Sequence, residues 1–219
     1  MRINFILLAL LFFKTFYLSA QNNETVNPIS VESFWGNRGA LVEMTFHKPL
    51  KSNSKFGILS ISEYYGTYNA KKQDDENQYM MQTHLTYKLF DNFDLVAGAI
   101  TNNVDGLRPT AGFQYILPYK DFFFVAMPRI DLTQTHNAEI LSLIEYTPSI
   151  HKKWSLYSRV EGLYNQDLKN NTHAISYLRL RLGTSYDIFR FGLGANFSSY
   201  GEDKFHENQF GAFIGALLF

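Results

Sequence analysis

Arg179 and Arg181 stand two residues apart, with Leu178, Leu180 and Leu182 alternating around them. Two guanidiniums on one side of an extended segment need carboxylates nearby, and Glu161 and the neighbours of Arg190 are the nearest candidates in strand order. His84, Arg129, Asp131, Glu145, Arg159 and Glu161 also fall on the polar side of apolar segments. Charges of both signs at that spacing can pair into an interior network, or they can line a constriction that filters ions and small polar solutes. A catalytic alternative centres on Asp131, His136, Asn137 and Glu139. An acyl hydrolase needs a serine activated by a histidine that a third group orients. No serine sits among these four, so Ser142 or Ser176 would have to come from another strand. Loop chemistry already accounts for His136 and Asn137. The six histidines, at 47, 84, 136, 151, 173 and 206, show no metal-ligand spacing. Gly192 and Gly194 alternate on a strand face and form no phosphate loop. The expectation is a protein that is not an enzyme and has neither cofactor nor metal.

The elements that must position these charges are strands. Over 79–89, Tyr79, Met81, Thr83, Leu85, Tyr87 and Leu89 take one face, and Gln82, His84, Thr86 and Lys88 take the other. A side-chain period of two makes the first face apolar and the second wet. The pattern returns over 189–197, where Phe191, Leu193 and Ala195 oppose Arg190, Gly192, Gly194 and Asn196. It is weaker over 154–164, with Leu156 and Val160 against Arg159 and Glu161. Tight connections at 91–92, 119–121, 151–153 and 187–188 take turns with longer polar ones at 69–76, 102–106, 133–137, 166–172 and 201–206. A further polar connection at 49–55 and a turn at 36–39 complete six hairpins, or twelve strands. Ten is the alternative if the weakest segment, 29–35, fails to pair.

Composition narrows where such strands can sit. Residues 5–13 are an unbroken apolar run behind Arg2, too short to span a membrane and the length of a signal-peptide core. Cleavage is expected near Ala20, so residues 1–20 are a signal peptide and 21–219 a single barrel domain. Losing Arg2 and Lys14 leaves 18 basic against 20 acidic residues, a balance that gives nucleic acid no reason to bind. With no cysteine, disulfides, thiolate metal sites and lipidation of an N-terminal cysteine are excluded. No later segment has the 18 apolar residues of a spanning helix. Yet the chain carries 14 Tyr and 20 Phe, with apolar residues dispersed at alternate positions. Aromatic residues cluster beside the tight turns (Tyr87, Phe90, Phe93, Phe122, Tyr146, Trp154, Tyr186, Phe189) and again near the longer loops. Two such clusters are what the girdles of a membrane barrel require.

The last eleven residues carry no charge after Glu207, and Phe213, Gly215, Leu217 and Phe219 recur at every second position. A secreted chain closing this way resembles the outer-membrane β-barrel proteins of Gram-negative bacteria. The resemblance implies a transmembrane antiparallel up-and-down barrel in outer-membrane lipid. It also implies that Phe213, Gly215, Leu217 and Phe219 are the signal read by the barrel assembly machinery.

In a closed barrel the wet face becomes the lumen. His84, Arg129, Asp131, Glu145, Arg159, Glu161, Arg179 and Arg181 would then form a belt of charge at mid-height. Four arginines against three carboxylates make the belt about +1. The expected function is a narrow porin-like channel for small polar or weakly anionic solutes. A closed barrel with a structural or interaction role is the alternative, and a lipid hydrolase a more distant one. Charges at Leu180 or Leu193 should cost about 2–4 kcal/mol at mid-membrane, whereas changes at Gln82 or Asn196 should be mild. The short outer connections argue against a plugged receptor.

Overall fold

The structure is a computed structural model that describes residues 27–68 and 77–219. The expected signal segment and the connection at 69–76 lie outside the described residues. Thirteen strand segments follow one another: β1 (Ile29–Gly36), β2 (Gly39–Pro49), β3 (Phe56–Thr67), β4 (Gln78–Phe90), β5 (Phe93–Asn102), β6 (Gly106–Tyr119), β7 (Phe122–Asp131), β8 (Ala138–Tyr146), β9 (Ser149–His151), β10 (Trp154–Asp167), β11 (Thr172–Tyr186), β12 (Phe189–Tyr200) and β13 (Phe205–Leu218). They make twelve staves. The short β9 pairs with β10 along the line that β8 leaves at Tyr146, beyond an interruption at Thr147 and Pro148. Proline has no N–H to give the ladder, which explains the break.

Every neighbouring pair is antiparallel, and β1 closes the barrel by pairing with β13 from Ile29↔Leu218 to Gly36↔Gly211. The weakest segment of the sequence therefore pairs on both sides, and the count is twelve rather than ten. Closure removes the unpaired edge that a bilayer cannot solvate. Asn92, Lys120, Lys152 and Asp187 sit at positive φ in the tight turns, which reverse the chain within two residues.

Burial is inverted relative to a water-soluble domain. Leu193 is 71 % exposed and Leu182 63 % exposed on the outer surface, while twenty-one described polar or charged residues are buried against nine apolar ones. An outer wall of hydrocarbon around a polar interior is that of a transmembrane barrel. Rings meet in cross-strand pairs next to the tight turns: Phe122 stacks on Tyr146 at 4.3 Å, and Phe56 with Tyr87 at 4.9 Å and Trp154 with Tyr186 at 4.8 Å pack at a tilt, all between centroids. Amphipathic rings settle at the headgroup level, so this rim marks one membrane interface.

Two features depart from polar-in, apolar-out. Leu59, Val96, Met127 and Leu141 face the lumen and pack together as a buried cluster. A second cluster joins Phe34, Leu41, Tyr157 and Phe213. Phe213 therefore points inward, and the register that pairs Phe213 with Phe34, Gly215 with Glu32 and Leu217 with Ser30 places these three on the lumen side, while Phe219 lies beyond the strand and is exposed. The lipid side of β13 carries Phe210 and Ile214 instead. Beyond Gln209 the last strand is apolar on both faces, so over that stretch its period of two could not say which face is which.

Candidate functional site

Three glutamates stand at paired positions on neighbouring strands, Glu32 on β1 opposite Glu43 on β2, and Glu43 opposite Glu63 on β3. Such a row of like charges is unfavourable unless cations answer it. They come from β10 and β11, where Arg159 is opposite Arg181 and Glu161 opposite Arg179. Each of these strands supplies its charges at alternate positions, so Leu178, Val160 and Leu182 face lipid while the charges face in.

The two groups meet across the lumen. Arg179 donates from Nη1 and Nη2 to both carboxylate oxygens of Glu63, at 2.9 and 2.7 Å. Its Nη1 also reaches Glu43 at 3.2 Å and Glu161 at 3.2 Å. Arg181 Nε donates to Glu32 Oε1 at 2.7 Å, and Arg159 Nη2 donates to the same oxygen at 3.0 Å. In the order β11-β12-β13-β1-β2-β3, Arg179 and Glu63 are five staves apart in a ring of twelve. Their ion pair therefore spans almost the full width of the lumen. The forked geometry is the strong, planar kind that guanidinium makes with carboxylate.

Aromatic rings pack against this bridge. The Arg181 guanidinium lies 4.4 Å from the Phe34 ring centroid and that of Arg179 lies 4.1 Å from the Tyr177 ring. Cation–π contacts of this kind strengthen as water is excluded. Tyr177 donates its hydroxyl to Glu161 at 3.0 Å, and Tyr157 donates to Glu145 at 2.9 Å. Arg190 joins Glu145 at 3.1 Å.

A second, separate network lies on β4 and β6–β8. Arg129 binds Glu139 and Gln82, Asn165 donates to Glu139 at 2.8 Å, and Arg108 pairs with Asp131 at 2.7 Å. The eight charged positions of the expected belt are all buried, but they do not form one ring. Arg159, Glu161, Arg179 and Arg181 belong to the bridge, and Glu145 joins its rim. Arg129 and Asp131 belong to the second network, in which Asp131 pairs with Arg108 rather than Arg129. His84 is fully buried on β4 with no hydrogen-bond partner for either ring nitrogen among the described residues.

Six charged residues of these networks lie outside the expected belt: Glu32, Glu43, Glu63, Arg108, Glu139 and Arg190. A signal existed for Glu43, because Val42 and Met44 on either side are exposed to lipid. None existed for Glu63, whose inward neighbours on β3 include Leu59 and Ile61. Together the networks hold six arginines and seven carboxyl groups, so the positive excess expected of the belt is not a property of the networks as a whole. Carboxylate oxygens of Glu43, Glu63 and Glu161 lie within 4.8 Å of one another, and the Arg179 guanidinium bonds to all three. Gln82 and Asn196 are not free positions either: Gln82 accepts from Arg129, and Asn196 accepts from Arg181 at 2.8 Å.

The catalytic cluster does not assemble. His136 is exposed at positive φ, Asn137 donates to Asn165 at 2.8 Å, and Glu139 and Asp131 are taken by arginines. Ser176 does meet a histidine, but it is His173, at 2.9 Å, with the other ring nitrogen bonded to the Gly201 carbonyl at 2.7 Å.

No protein-family model matches the sequence, and no curated protein is similar to it. Among solved structures, the KdgM porin in complex with disordered oligogalacturonate aligns with 86 % of this chain and 97 % of its own, at 10 % identity and a TM-score of 0.49. The NanC porin in a rhombohedral crystal form aligns with 87 % of this chain and 100 % of its own, at 11 % identity and a TM-score of 0.48. These neighbours are outer-membrane β-barrel porins, and the likeness lies in the architecture.

Proposed function

We propose that the protein is an outer-membrane barrel forming a narrow passage for small polar solutes, held shut at rest by the ion bridge across its lumen. The observation that carries this is the Arg179–Glu63 pair, which joins opposite walls through flexible side chains alone. Buried ion pairs roughly repay their own desolvation, so stability alone gives little reason to fill a lumen with them. Apolar side chains would serve a permanent plug, as they do elsewhere in this lumen. Arginine and carboxylate groups can instead exchange one another for water or solute. With seven carboxyl groups against six arginines, no anion preference is expected.

The test is single-channel recording of the refolded protein in a planar bilayer. Low or intermittent conductance is expected for the wild type, and steady conductance for the Arg179→Gln, Glu63→Gln double variant. Silence from both, with folding shown independently, would sink the proposal. It would leave the second reading, a closed barrel with a structural role, which the fully buried Phe34 and Tyr157 favour.

A further inference from the structure

Beside the bridge, toward the tight turns, the lumen contains a cavity of about 140 Å³. On β3 its lining residues Leu59 and Ile61 precede Glu63, and on β7 Val125 and Met127 precede Arg129. Leu141 and Leu143 of β8 complete an aliphatic wall. Polar residues also reach the cavity, but His47 bonds to Thr86, and Arg129 bonds to Gln82 and Glu139; Gln114 stands apart from them. Gln114 is only 4 % exposed, and its Oε1 has no hydrogen-bond partner among the described residues. A buried amide oxygen left unpaired is costly unless something donates to it.

Size and lining together define an occupant. An apolar cavity of roughly 150 Å³ stays dry and admits benzene. A sugar or polyol brings several hydroxyls for which the aliphatic residues offer no partners, and a small ion brings a charge. The polar lining groups Thr45, His47, Gln82 and Arg129 are already bonded to protein neighbours. The nearby carboxylates Glu43, Glu63 and Glu161 are already engaged by Arg179. We infer that this cavity is a binding site for a small, mainly apolar molecule of about benzene size carrying one hydroxyl or N–H donor. Its body lies against Leu59, Met127 and Leu141 and its donor on Gln114 Oε1. Phenol is the simplest member of the class. The site does not depend on conduction, since a closed barrel would retain such a molecule and an open one would pass it.

Isothermal titration of the refolded protein in detergent micelles tests this, with phenol, benzene and glycerol as probes and protein-free micelles as the blank. Saturable binding of phenol, one per barrel, is expected, with none for glycerol. Leu141→Phe, which fills the cavity, should abolish it, and Met127→Phe serves if that variant does not fold. Gln114→Leu should weaken phenol about fivefold, the worth of one hydrogen bond, and leave benzene unweakened. Absence of saturable phenol binding by folded wild type would overturn the inference. Binding that survives both cavity-filling variants would overturn it as well, by placing the ligand on the lipid-facing surface.

Discussion

Where β1–β3 face β10–β11 the lumen is filled by charge, and between β3, β5, β7 and β8 a hydrocarbon cluster packs beside the second ion network. Both halves close the barrel, but by different physics. In the charged half Glu32, Glu43 and Glu63 depend on arginines a long way off in the chain, and Arg179 by itself answers three carboxylates. In the apolar cluster of Leu59, Val96, Met127 and Leu141 the contacts are not directional, so a lost side chain leaves a void and nothing uncompensated. Under the proposed function, one barrel carries an exchangeable closure beside a passive one.

The largest effect should come from breaking the charged half at its centre. Arg179→Met strands Glu43, Glu63 and Glu161 without their shared cation and should cost about 3–5 kcal/mol, read as a lower urea midpoint of the refolded barrel. A loss no greater than that of an aliphatic truncation would erase the distinction between the halves. Next, Leu193→Arg places a charge on the lipid wall and should cost about 2–4 kcal/mol in the same measurement. That checks the facing on which both halves rest.

Leu141→Ala truncates the apolar half and should cost about 2–3 kcal/mol, near the low end for buried leucines because the neighbouring cavity already limits packing. A near-neutral result would mean that the Leu59, Met127 and Leu141 cluster is loosely packed in the folded barrel. The smallest effect belongs to neither half: Phe122→Leu removes a stacked ring from the girdle and should cost about 0.5–1.5 kcal/mol. A larger loss there would show that the rim contributes to stability on the scale of the lumen.

Much of this was legible from residue order alone. A lipid wall on one side and a wet lumen on the other force a period of two, and β4, β11 and β12 display it, so the facing of Leu85 against His84 and of Leu182 against Arg181 follows from local alternation. Turn residues and the spacing between them pointed to twelve staves with ten as the alternative, and the pairing of β1 with both β2 and β13 decided between the two. Only the tertiary structure decided which charges meet. Glu32 and Arg181 are 149 positions apart, and nothing in a strand's own pattern reports what stands across the lumen. It also decided the facing of β13 and the place of Leu59, Met127 and Leu141 inside the barrel. Alternation locates a side chain only where the two faces differ in polarity. Where both are apolar, closure of the sheet makes the choice.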